Sequence, residues 1–234
     1  MVKQELIQRS PVRSFEQAIN GGLKAGELGI IASQSGIGKT SVLVQIALDK
    51  LLQAKKVIHV SFTQHTDEVL AWYENIFDEF IRTKNLEHSR DIKNELVKNR
   101  VLMNFNQEGV TGDQILRSLR AMIVEGGFNA EALIVDGFDF SLTTHDHLAK
   151  VKEFAQELGL SVWYSLNVKG EAPQYDKRNT PLLIKDYLDM VDVVVVLTPK
   201  PNYIELSVSR DRDRYNPDTV ALRLDPKTLL ILEG

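Results

Sequence analysis

The segment "SQSGIGKT", Ser33–Thr40, constrains the fold of this chain more than any other stretch. It has the spacing Ser-x-x-x-x-Gly-Lys-Thr, which is the Walker A pattern with Ser at the first position, where Gly is commoner. The apolar run Leu28–Ala32 precedes it and a helical pattern follows it. Because this motif requires a strand before it and a helix after it, the context predicts a phosphate-binding loop between the two.

The chemistry expected of this loop follows from its residue types. Gly36 and Gly38 let backbone N–H groups converge on phosphate oxygens, and the following helix adds a partial positive charge at its N-terminus. Lys39 is predicted to bridge the β- and γ-phosphates, and the Thr40 hydroxyl to ligate Mg²⁺. The predicted cofactors are therefore ATP and Mg²⁺. The residues predicted to contact the nucleotide here are Ser33, Gln34, Ser35, Gly36, Ile37, Gly38, Lys39, Thr40 and Ser41.

Strand-like and helical patterns alternate along the chain, which predicts an α/β fold with a central, mainly parallel sheet and helices on both faces. Apolar runs suited to doubly covered strands are Leu28–Ala32, Val57–Phe62, Val101–Phe105, Ala132–Asp136, Ser161–Leu166 and Asp192–Leu197. A mixed or antiparallel C-terminal section is predicted from Ile204–Ser209, Val220–Leu224 and Leu229–Leu232. Helical stripes begin near Val42, Val69 and Leu148, and Thr111 with Gln114 has capping-box spacing.

Length and composition exclude several classes of protein. With 234 residues and no cysteine, the chain is expected to form one domain, residues 1–234, without disulfides, a thiolate zinc site or thiol catalysis. The formal net charge of −4 gives no general attraction to nucleic acid. No run reaches about 18 apolar residues or the pattern of a signal peptide, so we expect a cytoplasmic protein with no membrane partner.

A second element belongs with the phosphate loop. The segment "AEALIVDGFDF" reads as an apolar strand, 132–136, that ends in Asp136. A carboxylate at the carboxyl end of a strand, in a sheet that also carries a Walker A loop, is placed to hold Mg²⁺ through water, as a Walker B residue does. Thr40 and Asp136 are therefore the predicted metal ligands.

Further stretches resemble RecA-fold P-loop ATPases, in particular the DnaB-type helicase core and the KaiC-type ATPases. In "FEQAINGGLKAGELGIIASQSGIGKT", a Gly-Gly-Leu and a Gly-Glu-Leu precede the phosphate loop, as in that family. The stretch "YDKRNTPLLIKDYLDMVDVVVVL" is similar to its segment from the central loop into the next strand. The stretch "ELSVSRDRDRYNPDTVALRLDP" is similar to its closing hairpin with a Lys/Arg-x-Arg element. The resemblance extends from about Phe15 to Ile231.

The resemblance implies a RecA-like P-loop NTPase with a central loop at 167–181 and a C-terminal hairpin at 203–232. Asn167 stands where the family carries a γ-phosphate-sensing residue, usually Gln, which is longer by one methylene. Arg210 and Arg212 match the Lys/Arg-x-Arg positions that reach the ATP of a neighbouring subunit. The resemblance therefore also implies a homo-oligomer, either a hexameric ring or a helical filament.

The arginine pattern can also be examined without the family. Arg210, Arg212 and Arg214 alternate, so an extended strand would place all three on one side. An arginine supplied by a neighbour contributes about 10³–10⁵ in rate. The other interpretation is a solvated strand end whose charge is balanced by Asp211 and Asp213.

One position differs from the family pattern. The family's second strand ends in a Glu that polarises the attacking water, whereas "VIHVSFTQHTDE" has Thr63 and Gln64 at the matching positions. Neither accepts a proton usefully near pH 7, and a missing general base lowers a rate by about 10²–10⁴-fold. Three interpretations stay open: ATP is bound and scarcely hydrolysed, Gln64 orients the water, or His65 or Glu68 replaces the base.

The sequence thus predicts a Mg-ATP-binding protein with weak or conditional ATP hydrolysis that acts as a homo-oligomer. Its predicted catalytic residues are Lys39, Gln64, Arg210 and Arg212. One alternative is a non-catalytic, ATP-dependent regulatory scaffold in signalling.

The other alternative is a helicase- or recombinase-type motor on single-stranded DNA. It would use the central loop, where cations and one aromatic residue could contact the strand: Lys169, Tyr175, Lys177 and Arg178. Few cations and a sequence pI of about 5.8 do not favour nucleic-acid binding.

Overall fold

The computed structural model describes residues 2–84, 90–170, 174–217 and 221–233. Helices in these ranges are α1 Val2–Gln8, α2 Val12–Ala18, α3 Lys39–Leu52, α4 Thr66–Lys84, α5 Arg90–Lys98, α6 Gly112–Arg120 and α7 His145–Leu158. Strands are β1 Leu28–Ser33, β2 Val57–Ser61, β3 Arg100–Asn104, β4 Ala132–Asp136, β5 Ser161–Asn167, β6 Val193–Pro199, β7 Ile204–Asp211, β8 Arg214–Tyr215, β9 Leu222–Leu224 and β10 Ile231–Glu233. A π-helical turn covers Ala121–Glu125, and 3₁₀ turns cover Phe140–Leu142 and Leu182–Tyr187.

The strands form one sheet in the order β10-β9-β7-β6-β1-β5-β4-β2-β3, with β8 paired to β7. The strands from β6 to β3 in this order are parallel. β7, β8, β9 and β10 pair antiparallel. The predicted α/β fold, with a mainly parallel sheet and a C-terminal antiparallel section, is confirmed. This order brings the carboxyl ends of β1, β2, β4 and β5 to the same edge of the sheet.

Helices cover both faces of this sheet. Successive side chains of a strand point to opposite faces, so β1 contributes Ile31 to one core cluster and Ile30 to the other. The first cluster includes Val42 of α3, and the second includes Phe154 of α7. Each such buried side chain contributes about 1.5–3 kcal/mol to stability. No helix in the described ranges is long and apolar enough to cross a membrane.

The strand predictions agree closely with the structure. Each of the six predicted parallel strands ends within two residues of its observed bounds. Thr111 caps α6 through a complete capping box with Gln114. The helices α1, α2 and α5 were not predicted. Parts of three predicted segments lie outside the described residues: 171–173 of the central loop, 218–220 of the hairpin, and Val220 of the strand predicted to start there.

Arg210, Arg212 and Arg214 do not lie on one side of a single extended strand. β7 ends at Asp211, and Arg212 has a φ of 55°, which is left-handed and turns the chain into β8. Arg210 then pairs with Tyr215, and Asp211 pairs with Arg214. Arg210 and Arg214 therefore lie on opposite strands of a tight hairpin, because a two-residue turn interrupts the extended conformation that the alternation required.

Candidate functional site

The phosphate loop predicted at Ser33–Thr40 connects β1 to α3. Gly36 and Gly38 have φ values of 79° and 106°, which residues with a Cβ rarely adopt. A Cβ on Gly38 would also lie 2.6 Å from the Leu224 side chain. Gly38 caps α3 without a side-chain hydrogen bond, so the first N–H groups of that helix stay available to a ligand. The loop therefore has the backbone of an anion-binding site.

Lys39, the first residue of α3, folds back over the loop. Its Nζ donates to the carbonyl oxygens of Ser33 at 3.1 Å and Gln34 at 2.8 Å. Burial lowers the pKa of Lys39 to about 8, although the negative charge of Asp136 acts in the opposite direction. Because neutral carbonyl oxygens are weaker partners for an ammonium than an anion is, Lys39 retains the electrostatic capacity to bind one.

Thr40 and Asp136 meet where α3 begins and β4 ends. Thr40 Oγ1 donates a hydrogen bond of 2.7 Å to Asp136 Oδ2. Only 4% of Asp136 is exposed, and strand register places it beside Ser61 of β2. The next residue, Gly137, donates its N–H to Ser165 Oγ of β5 at 2.8 Å. The two predicted metal ligands are therefore adjacent at the carboxyl edge of the sheet.

A cavity of about 340 Å³ opens in front of these residues, within the range of ligand pockets. Its lining residues are Ser35, Gly36, Gly38, Lys39, Thr40, Thr63, Gln64, Trp72, Asp136, Gly137, Ser165, Asn167 and Leu229. Asn167 lies beside Ser33 because the final residues of β1 and β5 pair in register. The fold thus brings together predicted site residues from four separate segments of the chain.

Four of the residues predicted to contact the nucleotide are not among those that line the cavity. Ser33 and Ser41 are buried, at 1% and 0% exposure. Ile37 packs against the first core cluster, which includes Val42 of α3. Gln34 is exposed and contributes its carbonyl oxygen to Lys39.

Thr63 and Gln64 follow the end of β2 at the edge of the cavity. The backbone of Gln64 is held on both sides: its N–H donates to Ser61 Oγ at 3.0 Å, and its carbonyl accepts from Asn104 Nδ2 at 2.6 Å. Thr63 is exposed and packs so closely on Gly137 that a Cβ there would lie 2.5 Å from Thr63 Oγ1. The position that carries a Glu in the resembled family is therefore filled by a hydroxyl held against the end of β4.

Two amide oxygens at this site, Gln64 Oε1 and Asn167 Oδ1, are buried and accept no hydrogen bond from the described residues. A buried acceptor left unpaired costs about 1–3 kcal/mol, so both atoms favour a ligand that brings hydrogen-bond donors into the cavity. His65 and Glu68 are exposed, and neither is among the described residues that line the cavity.

Arg212 is bound within its own chain, away from the cavity. It donates to both carboxylate oxygens of Glu27, at 3.0 and 2.5 Å, and to the carbonyl oxygens of Ile19 and Gly22, each at 2.9 Å. It also pairs with Asp211, which is fully buried. Burial acts to raise the pKa of Glu27, but the hydrogen bond and charge of Arg212 outweigh it and leave that pKa below its usual value.

The other cations predicted to act outside the cavity also have partners. Arg210 lies 5.7 Å from the centre of the Tyr215 ring, and Arg178 of the central loop lies 4.3 Å from it. Lys169 pairs with Asp139 at 2.9 Å. The contact of Arg178 with Tyr215 joins the described part of the central loop to the hairpin. The pairing of Lys169 with Asp139 reduces the positive charge that the loop presents to a nucleic acid.

The described residues contain no group of three or more His, Asp or Glu side chains arranged to hold a metal ion. Mg²⁺ differs from zinc in this respect, because it is usually held by one or two carboxylates and completes its coordination with water and substrate phosphate. A buried carboxylate beside a hydroxyl, as at Asp136 and Thr40, fits that donor set.

The mainly parallel sheet, with the predicted phosphate loop after a central strand and an acidic residue at the end of β4, fits a RecA-like α/β fold. No protein-family model matches the chain. Over 48 residues the chain is 44% identical to the DNA repair protein RadA of Aquifex aeolicus (strain VF5). That stretch is 20% of this chain and 11% of RadA, and this partial match fits a RecA-like fold.

Four residues that line the cavity were not predicted: Trp72, Gly137, Ser165 and Leu229. Trp72 lies within α4, between Val69 and Tyr73 of its apolar stripe, and that position was the available signal. Leu229 was assigned to a strand, whereas β10 begins at Ile231 and Leu229 lies in the turn before it. Nothing local in the sequence indicates that this turn packs beside the phosphate loop.

Proposed function

We propose that this chain is a Mg-ATP-binding protein of the RecA-like, DnaB/KaiC-like type, with weak or conditional ATP hydrolysis, that acts as a homo-oligomer. The observation that carries the proposal is the convergence of Lys39, Thr40 and Asp136 on one cavity. These side chains supply the cation, the hydroxyl and the carboxylate that a nucleoside triphosphate with Mg²⁺ requires. The partial similarity to RadA is a second observation that supports nucleotide binding.

The proposed binding exchanges weak partners for strong ones. The β- and γ-phosphates would replace the carbonyl oxygens of Ser33 and Gln34 as partners of Lys39 Nζ. Charge-assisted hydrogen bonds to phosphate are stronger than those to neutral carbonyls, so this exchange favours the bound state. Thr40 and Asp136 would hold Mg²⁺, which when bound neutralises charge on the phosphates.

Slow hydrolysis is proposed because no carboxylate stands at Thr63 or Gln64. Of the open alternatives, Gln64 has the best support, since its side chain lines the cavity and its Oε1 accepts no hydrogen bond from the described residues. An amide oxygen can orient the attacking water without taking its proton. The exposure of His65 and Glu68 outside the cavity makes them poorer candidates. If turnover is zero, the chain becomes a non-catalytic ATP-dependent scaffold.

The oligomeric part of the proposal depends on the family resemblance. The guanidinium of Arg212 donates through all three of its nitrogens to its own chain. Arg210 also donates within its own chain, from Nε to the Arg212 carbonyl oxygen at 2.7 Å and from Nη1 to the Leu188 carbonyl oxygen. These partners are neutral, whereas Arg212 pairs with two carboxylates, so we propose that Arg210 exchanges them for the ATP of a neighbouring copy, in a ring or a filament. We also propose that residues 1–234 form a single domain, because both core clusters pack on the same sheet.

Binding and steady-state hydrolysis of ATP by the wild type, Lys39→Ala and Thr63→Glu test this function. We expect wild type to bind ATP and turn it over slowly, and Lys39→Ala to lose both properties. Thr63→Glu should raise turnover by about 10²–10⁴-fold, because it supplies a general base. Thr66→Glu is the matched control, since it adds the same charge on exposed surface outside the cavity lining. Absence of ATP binding in wild type would overturn the proposal.

The residual turnover provides a second prediction. Gln64→Ala should lower it by about tenfold or more without changing ATP affinity, because it removes the group that orients water. Glu68→Gln, an exposed change at the start of α4, should leave it unchanged. If Glu68→Gln abolishes turnover and Gln64→Ala does not, the assignment of Gln64 is wrong.

A further inference from the structure

The turn between β9 and β10, residues 225–230, contributes Leu229 to the lining of the proposed nucleotide cavity. Leu229 also packs against the core cluster that Trp72 contacts. Its φ is 57°, a left-handed conformation that bulky residues rarely adopt. Strain of this kind persists only where the surrounding contacts impose it.

Two buried side chains of α3 impose this conformation. Ser41 Oγ donates to the Leu229 carbonyl oxygen at 2.6 Å, and Gln45 Nε2 donates to the same oxygen at 2.9 Å. Gln45 Oε1 in turn accepts the Ile231 N–H at 2.9 Å. The turn is therefore bound to the same helix that carries Lys39 at its first position.

The helix register indicates which end of a nucleotide Leu229 would meet. Lys39 and Thr40 define the end that holds the β- and γ-phosphates and Mg²⁺. Ser41 is the next residue along α3, and its hydroxyl contacts Leu229 directly. Leu229 therefore lines the cavity beside Ser41, where a nucleotide whose phosphates are held by Lys39 and Thr40 would extend its ribose and base.

Leu229 presents little that could read the edge of a base. A carbonyl oxygen has two lone pairs. Both lone pairs of the Leu229 carbonyl oxygen are used, because Ser41 and Gln45 each donate a hydrogen bond to it. The Leu229 N–H donates to the Asp225 carbonyl at 2.7 Å. What remains for a ligand is the aliphatic side chain, which contacts the face of any base, whereas strong discrimination requires hydrogen bonds to polar groups on its edge.

We propose that Leu229 forms the base-side wall of the nucleotide site, and that Ser41 and Gln45 are positioning residues for it. The consequence is a site for nucleoside triphosphates that discriminates little between adenine and guanine. This inference rests on the proposed function, because it assumes that the loop binds the triphosphate.

Equilibrium binding of ATP, GTP and inorganic tripolyphosphate, each with Mg²⁺, to the full chain tests the proposal. We expect ATP and GTP to differ in affinity by less than about tenfold, and each to bind about tenfold or more tightly than tripolyphosphate. In Leu229→Gly, where glycine suits the left-handed conformation, ATP affinity should fall to that of tripolyphosphate. Leu232→Ala, on the exposed part of the same hairpin, is the control and should change nothing.

Gln45→Leu tests the positioning role separately. It should lower the affinity for ATP relative to tripolyphosphate, whereas a merely structural role would lower both affinities together. A preference for one purine above about tenfold, or an unchanged ATP affinity in Leu229→Gly, overturns the inference. If tripolyphosphate binds as tightly as ATP, the inference alone is wrong. If neither ligand binds, the proposed function is wrong as well.

Discussion

Lys39 shows how a single residue acquires its properties from its surroundings. In an unfolded chain its ammonium group would titrate near pH 10.5, whereas burial at the start of α3 lowers its pKa to about 8. The negative charge of Asp136 only partly offsets that effect of burial. A bound phosphate chain would favour the charged form and raise the pKa again.

Nucleotide binding near pH 8 should therefore be accompanied by proton uptake. With a pKa of about 8, about half of the Lys39 side chains are neutral at pH 8, so binding should take up as much as about half a proton. At pH 6.5 the side chain is already charged, and this contribution should disappear. Calorimetric titrations with ATP in two buffers of different ionisation enthalpy measure the uptake.

Lys39→Arg is the control for that measurement, because a guanidinium stays charged throughout this range. Subtracting its proton uptake also removes the contribution of the nucleotide's own phosphates. An equal uptake in wild type and Lys39→Arg would assign the proton to another group.

The hairpin of β7 and β8 shows the same dependence on context at the scale of an element. The alternating arginines predicted a continuous strand, yet the chain turns at Arg212 in a left-handed conformation. Contacts made by its guanidinium with Glu27, far away in sequence, hold the turn. The sequence around Arg212 does not predict this turn, because Glu27 lies about 185 residues earlier in the chain.

Arg212→Ala should destabilise the fold strongly, because it leaves Glu27 and the fully buried Asp211 without a major partner. Removing one member of a buried ion pair costs about 3–5 kcal/mol, and partial exposure of Arg212 favours the lower end of that range. Arg214→Ala removes a cation that is more than half exposed and should cost about 1 kcal/mol or less. Urea unfolding of both variants measures the difference, and equal losses would contradict the assigned role of Arg212.

Other elements were more predictable from the sequence. The parallel strands are continuous apolar runs, and α6 has its capping box in the local sequence, so both could be identified from short segments. The helices α1, α2 and α5 are each nine residues or shorter. Such short helices are marginal in isolation and depend on tertiary packing, so their sequences carry a weak signal.

At the scale of the whole molecule, the order of strands assembles the candidate site. β1, β5, β4 and β2 are neighbours in the sheet, although β3 and several helices separate them in sequence. Their carboxyl ends therefore bring Asn167, Asp136 and Thr63 to the phosphate loop. The proposed contribution of Arg210 from a neighbouring copy would complete the site at this edge of the sheet.

If Arg210 contacts the ATP of a neighbouring copy, ATP should favour assembly, because a ligand shared between two copies stabilises their association. We expect light scattering on a sizing column to give a mass well above the 26.4 kDa monomer in Mg-ATP. Lys39→Ala should remain unaffected by ATP in the same experiment. A wild-type mass of one chain at saturating Mg-ATP would contradict the oligomeric proposal.

The sequence by itself determined the class of fold and the position of a loop with the Walker A pattern, because both depend on contiguous residues: apolar runs, two glycines and a Lys-Thr pair. It also showed that Thr63 stands where the resembled family carries a Glu. Only the tertiary structure decided which distant residues share the cavity, that Arg212 is bound within its own chain, and that Leu229 lies beside Ser41 and Gln45. Contacts between residues far apart in sequence depend on strand order and burial, which no local pattern specifies.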